Sequence, residues 1–266
     1  MKYKELGNTG CMIPEVGLGT SKYTGGPQPL RTGISLGANH IDTAEDYGTE
    51  DQVGEAIAGM RDRAFVATKV FPNHFEYANL IEAAENSLKR LSTDFIDLYQ
   101  LHKPNPAVPI EQTMRAMDKL VDDGKVRYVG VSNFSVVQLK QAQSATRNKI
   151  VSNQVRYSLG DRKIEVELLP YCQKNQITII AYSPLAALWG FSNLKASPHD
   201  SGLEAIGETR NKSKAQVALN WCISRKCVVV IPKSNSVERT VENCGASGWW
   251  LTTDQTEFLE EASNND

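Results

Sequence analysis

The sequence predicts an α/β protein, a closed (β/α)8 TIM barrel preceded by an N-terminal β-hairpin. Three observations lead there. Short, continuous apolar runs of strand length alternate with longer amphipathic segments, as expected when helices cover both faces of a parallel sheet. Eight such strand–helix units follow one another, more than a doubly wound sheet usually carries. The chain has 266 residues with no Ser/Gly linker, charge block or composition shift, so residues 1–266 read as one barrel-sized domain.

The elements follow in order. Residues 2–6 and 11–14 flank Gly7-Asn8-Thr9-Gly10 and read as a hairpin around a tight turn. Glu15 to Gly19 forms the first buried strand. A helix near 27–37 leads to strand 38–42, helix 50–59 to strand 64–69, and helix 76–91 to strand 95–101. The alternation continues with helix 110–123, strand 126–131, helix 135–145, strand 150–155, helix 163–175 and strand 177–182. Residues 183–212, rich in Ser, Asn, Gly and Pro, form the longest irregular stretch and read as a binding loop or a mobile lid. Helix 213–224, strand 227–231 and helix 236–244 complete the eighth unit.

Composition narrows the function. Apolar residues make up 41% and charged residues 23%, with a net charge of −2, the balance of a soluble globular protein. Lys and Arg are scattered, which leaves no electrostatic footprint for nucleic acid or an acidic membrane. A small-molecule partner and a monomeric state are the defaults. Five cysteines without C-x-x-C spacing argue against a zinc site or a disulfide framework. His40, His74, His102 and His199 are not spaced as metal ligands. The N-terminus has no apolar signal region and no run approaches the length of a membrane span, so a cytoplasmic location is expected.

In a barrel of this type reactive groups gather at the C-terminal ends of strands. Those ends read Asp42, Lys69, His102, Ser132-Asn133, Gln154, Tyr182-Ser183 and Ile231-Pro232-Lys233-Ser234, with Tyr47 five residues beyond Asp42. A phenol with a reference pKa near 10 exchanges its proton poorly at neutral pH without help. An ammonium about 4 Å away favours the phenolate by up to roughly 4 kcal/mol at an effective dielectric of about 20. Lys69 is placed to supply that field, Asp42 to keep Lys69 charged, and His102 to orient a substrate oxygen. The set suits protonation of a carbonyl oxygen but contains no nucleophile, so the attacking group falls to a cofactor, with hydride the natural candidate. At the other end, Lys233 and Arg239 near a helix N-terminus suit a phosphate, with Glu242 and Asn243 following.

Each residue alone also fits an ordinary structural role. Lys69 reads as a surface lysine, His102 as a satisfied strand-end histidine, Tyr182 as core, Ser132-Asn133 as a helix cap, and Lys233 and Arg239 as solvated. Their joint occurrence at strand ends is what argues otherwise.

The motifs resemble those of the aldo-keto reductases. Gly17-Leu18-Gly19-Thr20, Asp42-Thr43-Ala44 to Tyr47-Gly48, Thr68-Lys69, Asp97-Leu98-Tyr99 to His102, Asn153-Gln154-Val155, Ala181 to Leu185 and Ile231 to Ser234 occur in register. The resemblance implies Tyr47 as general acid, partnered by Asp42, Lys69 and His102. It implies Ser132, Asn133 and Gln154 on a nicotinamide carboxamide, Tyr182 stacked on the ring, and Ser183 and Leu185 along the pyrophosphate. Lys233, Ser234 and Arg239 would take the adenosine 2′-phosphate, with Glu242 and Asn243 near the adenine, which makes NADP(H) the cofactor. Ser21 stands where many members carry an aromatic, which opens one wall of the expected substrate pocket, and Trp189 either shapes that pocket or merely packs. Bacterial and archaeal sugar-aldehyde reductases are the nearer comparison. The expected function is NADPH-dependent reduction of aldehydes and ketones, among them glyceraldehyde and aromatic aldehydes. A cofactor-binding sensor or regulatory subunit, and a phosphate-binding aldolase or isomerase, are the other readings. Asp46, directly before Tyr47, is either solvated or bears on the approach of polar substrates.

Overall fold

The hairpin forms first in the chain: β1 (Tyr3–Glu5) pairs antiparallel with β2 (Met12–Pro14). A computed structural model describes residues 1–186, 188 and 200–261. After the hairpin come β3 (Leu18–Gly19), β4 (His40–Asp42), β5 (Phe65–Val70), β6 (Ile96–Leu101), β7 (Val126–Ser132), β8 (Ile150–Arg156), β9 (Thr178–Tyr182) and β10 (Val228–Val230). Each is parallel to the next and hydrogen-bonded to it in chain order. The ring closes where Gly17 N donates to Val230 O at 2.8 Å, Val230 N to Glu15 O at 2.9 Å and Gly19 N to Pro232 O at 3.2 Å. A Cβ on Gly19 would stand 2.5 Å from the Ile231 carbonyl oxygen, so this seam needs glycine.

The surrounding helices are α1 (Pro27–Ser35), α2 (Glu50–Ile57), α3 (Tyr77–Leu91), α4 (Ile110–Asp122), α5 (Val136–Ser144), α6 (Leu168–Lys174), α7 (Asp200–Arg210), α8 (Lys214–Ile223), α9 (Val237–Cys244) and α10 (Thr253–Glu261). Their sequences carry the start signals the geometry needs. Pro27 opens α1, and Ser135 with Gln138 and Ser213 with Gln216 form capping boxes at α5 and α8. Along α3, Leu80, Ala83, Ala84, Ser87, Leu88 and Leu91 share the buried face at helical spacing. Burial of each large apolar side chain on such a face stabilises by about 1.5–3 kcal/mol.

Inside the ring, Phe65, Ala67, Leu98, Val151, Ile180, Val229 and Ile231 pack with Leu6 and Ile13 from the hairpin. Gly7 N donates to Thr178 Oγ1 at 2.8 Å, at the start of β9. Lys4 Nζ donates to the carbonyls of Arg225 and Val228, at 3.1 and 2.8 Å, just before and at the start of β10. The hairpin thus stoppers the N-terminal end, and the opposite end is left for chemistry.

Three expectations change. Residues 183–212 are not irregular throughout, because α7 occupies Asp200–Arg210, with Leu203 and Ile206 buried three positions apart; its polar composition concealed a narrow apolar face. The helix expected over 163–175 divides into a 3-10 turn, Lys163–Glu165, and the shorter α6. Pro170 lacks an N–H and is tolerated only in a first turn, which fixes where α6 begins. Beyond the last expected helix lies α10, held by buried Leu259 and by Glu260, whose carboxylate pairs with Arg225 and accepts from Trp221 Nε1 at 3.2 Å.

All five cysteines are free. Burial pushes Cys172 and Cys222 up to about 12 and Cys227 and Cys244 up to about 11, and it raises Cys11 as well. No helix among the described residues is long and apolar enough to cross a membrane.

His40 is fully buried in β4, with neither ring nitrogen hydrogen-bonded among the described residues and Phe65 edge-on at 5.4 Å. Burial lowers its pKa from 6.5 to about 4. The unfolded chain therefore takes up this proton at higher pH than the folded one. The stabilisation is complete above about pH 6.5 and is lost as pH falls toward 4, a change of about 3 kcal/mol. Urea midpoints at pH 7.5 and 4.5 should differ more in wild type than in His40→Gln; equal pH dependence would remove His40 as the cause.

Candidate active site

The site is built outward from β4. Its last residue, Asp42, is buried at the open end of the barrel. Thr43 and Ala44 follow, and a 3-10 turn, Glu45–Tyr47, ends at Gly48 in the left-handed region with φ of 65°. Hydroxyls fasten this segment from below: Thr49 Oγ1 lies 2.9 Å from Thr43 Oγ1 and 3.0 Å from Thr20 Oγ1, and Thr20 Oγ1 donates to Asp42 O at 2.9 Å. Glu45 ties the turn to the loop after β5, accepting from Phe71 N and lying 3.0 Å from His74 Nδ1. Tyr47 is therefore held by a turn anchored on both sides.

Beneath it lies a buried ion pair. Lys69 Nζ, fully buried in β5, donates to Asp42 Oδ1 at 2.6 Å and to Thr43 O at 2.8 Å. The second carboxylate oxygen accepts from Gln154 Nε2 at 2.7 Å and Gln100 Nε2 at 3.2 Å. A charge removed from water is tolerable only when paired and hydrogen-bonded in this way.

Tyr47 Oη lies 3.5 Å from His102 Nε2, with the two rings edge to face at 5.5 Å. Lys69 Nζ lies 4.8 Å from the centre of the Tyr47 ring. The expected lowering of the phenol by Lys69 does not hold. Burial first, then Asp42, Asp46 and Tyr182, push the Tyr47 phenol well above its ordinary range. Asp42 faces Lys69 directly and cancels most of the field that would have favoured a phenolate. Tyr47 is a protonated phenol at neutral pH, able to give a proton. His102 is lowered from its ordinary value by burial and then by Lys69, against Asp46 and Asp42, which raise it.

From this corner a cleft of about 950 Å³ runs across the mouth. Asp42, Tyr47, His102, Ser21, Ser132, Asn133, Gln154, Tyr182, Ser183, Leu185, Lys233, Ser234 and Arg239 are among the residues that line it. Ser132, Asn133, Gln154 and Tyr182 are interlocked. Ser132 Oγ donates to Gln154 O at 2.8 Å, Asn133 Nδ2 to His102 O at 3.2 Å, and Tyr182 Oη to Asn133 Oδ1 at 3.1 Å. Ser132-Asn133 is not the cap of α5, a place taken by Ser135. Ser236 caps α9, accepting from Arg239 N at 3.3 Å.

Lys69 stands behind Asp42 and does not line the cleft; nor do Glu242 and Asn243, the latter buried on α9. Trp189 lies outside the described residues. Gln100, Lys22, Asn235 and Ser236 were not singled out from sequence. Gln100 left one signal, a glutamine within the apolar strand β6. Lys22, Asn235 and Ser236 line the cleft from loops, where polar residues carry no distinguishing pattern. Among the described residues no cluster of His, Cys, Asp and Glu is arranged to hold a metal ion.

A family model described as Aldo/keto reductase family matches residues 16–264. The methylglyoxal reductase YeaE of Escherichia coli is 38% identical over 263 residues, covering 94% of this chain and 91% of that protein. A crystal structure of the thermostable aldo-keto reductase Tm1743 with the inhibitor epalrestat superposes with a TM-score of 0.92 at 39% identity, covering 98% of this chain and 100% of the other. An aldo/keto reductase from Klebsiella pneumoniae in complex with NADP and acetate gives 0.84 at 36% identity, over 94% and 91% of the two chains.

The ion pair sets an expected outcome. Asp42→Asn strands a buried ammonium and should cost about 3–5 kcal/mol of stability, whereas Asp42→Asn with Lys69→Met should recover part of it. Urea unfolding of the single and double variants checks this, and strictly additive losses would show that the two charges are not coupled.

Proposed function

The chain belongs to the aldo/keto reductase family, and on that premise we propose that it reduces small aldehydes and ketones to alcohols with NADPH. The observation that carries this reading is the Tyr47 phenol above the buried Asp42–Lys69 pair, in a cleft that Lys233 and Arg239 also line.

NADPH, when bound, supplies the hydride. The donor set of the cleft fits such a group. Gln154 commits its Nε2 to Asp42 and leaves its carbonyl oxygen to accept from a carboxamide. Asn133 is pinned to the loop of His102, and Ser132, Asn133 and Gln154, with Tyr182 beside them, would hold that carboxamide. Lys233, Ser234 and Arg239 combine charge, a hydroxyl and a capped helix start, which suits a 2′-phosphate. Glu242 and Asn243 line no part of the cleft and are not assigned a contact.

Chemistry at the carbonyl falls to Tyr47 and His102. A substrate oxygen lodged between Tyr47 Oη and His102 Nε2 receives the Tyr47 proton as its carbon is reduced, so charge never accumulates on oxygen. Lys69, largely offset by Asp42, lends only a residual field to the phenolate that forms as Tyr47 gives up its proton. Ser21 leaves one wall of the cleft open and polar. Methylglyoxal, glyceraldehyde and aromatic aldehydes make a first panel, assayed by loss of NADPH absorbance. Tight NADPH binding with no turnover across that panel would leave a cofactor-binding sensor as the reading.

Tyr47→Phe should lower kcat by at least about 100-fold, with the NADPH Kd from fluorescence changed less than about twofold. Activity close to wild type would remove Tyr47 as the proton donor. Arg239→Ala should raise the Kd for NADPH about tenfold or more and that for NADH far less; equal losses would place the 2′-phosphate elsewhere.

A further inference from the structure

The proposed reduction gives no task to the charged residue that immediately precedes its proton donor in the chain. Asp46 immediately precedes Tyr47 on the 3-10 turn, and its Oδ1 lies 3.1 Å from His102 Nδ1. The other ring nitrogen, Nε2, faces the Tyr47 hydroxyl at 3.5 Å. His102 Nδ1 is shut off from solvent and makes no hydrogen bond among the described residues. The carboxylate is within ion-pair distance but off the line a hydrogen bond requires. Phe71 and Tyr47 meet the imidazole edge to face, at 6.1 and 5.5 Å, so the ring is confined and Asp46 has a fixed target.

We propose that Asp46 is a positioning residue for His102, fixing the imidazole with its Nδ1 proton toward the Asp46 carboxylate and Nε2 turned to the Tyr47 hydroxyl and the substrate oxygen. A neutral imidazole has two tautomers, and a carboxylate at one nitrogen selects the tautomer that carries the proton there. Nε2 then presents a lone pair to Tyr47 in the neutral form, and donates to a substrate oxygen when the ring is doubly protonated. The same contact opposes the surrounding cations. Lys69 from β5 and Lys103 beside His102 disfavour the imidazolium, as does burial; Asp46 and Asp42 from the segment after β4 favour it, and the Tyr47 phenol is neutral. Asp46 is the carboxylate at ion-pair distance from the ring, with its side chain 34% exposed, so its attraction is partly screened. The inference rests on the reductase reading for its consequence in catalysis, but the contact itself is measurable without cofactor.

The test is a pH titration of the histidine side chains by long-range 1H–15N correlation in the cofactor-free protein, with His102 assigned from its absence in His102→Gln. In wild type, neutral His102 should carry its proton on Nδ1. Asp46→Leu should shift the population toward the Nε2–H tautomer. Asp46→Leu and Asp46→Asn should both lower the His102 midpoint, by about one pH unit, and Asp46→Glu should restore part of it. In turnover, kcat of Asp46→Asn should fall about tenfold with the NADPH KM unchanged, and the pH limb assigned to His102 should move with the spectroscopic midpoint. Asp46→Asn keeps the size of the side chain, so a general loss of the turn would appear instead as a lowered Tm. An unchanged tautomer and midpoint in Asp46→Leu overturn the proposal even in an active enzyme. Absence of carbonyl turnover in wild type overturns the reductase reading and, with it, the catalytic half of this one.

Discussion

Placing an ammonium and a carboxylate together at the mouth of an apolar barrel costs several kcal/mol per charge before any attraction is counted. Lys69 and Asp42 offset that cost by contact at 2.6 Å, and by a full set of neighbours in Thr43 O, Gln100 and Gln154. The arrangement dictates much of what surrounds it. Asp42 must end β4, Lys69 must lie in β5 one strand away, and β6 and β8 must each turn a glutamine inward at the same level. The register of the ring is thus specified by polar satisfaction at the top as well as by apolar packing in the middle.

The two ends of the barrel divide the labour. At one end Leu6 and Ile13 close the interior with apolar side chains, and the chain pays the entropy of ordering a hairpin for that closure. At the other, polar groups are left facing a cleft, and the loops that carry them are pinned by hydrogen bonds through Thr20, Thr43, Thr49 and Glu45. Rigid supports of this kind hold reacting groups in place without the groups having to stabilise the fold themselves.

Much of this was legible in the sequence. The buried strands stood out because a short continuous apolar run is stable only where both of its faces leave water, and polar residues at their ends stood out against those runs. Tyr47, five residues past Asp42, was readable as a partner because a turn of that length reaches back over the strand end. Gln100 was not readable, since a lone glutamine within a strand carries no sign of whether it points to a carboxylate or to solvent. Nor was the electrostatic state of Tyr47. The sign of the effect of Lys69 depends on how fully Asp42 neutralises it, and that depends on distances no spacing rule contains. The helix α7 escaped because its two buried apolar side chains, Leu203 and Ile206, give a stripe too narrow to register as periodicity.

The cysteines have a bearing on the chemistry assigned to the cleft. A cysteine attacks a carbonyl carbon as the thiolate, because the deprotonated sulfur is the nucleophile. Cys172, Cys222, Cys227 and Cys244 are held as thiols by burial, and Cys11 is shifted the same way. The packing that holds the fold together thus also keeps these sulfurs from acting as nucleophiles.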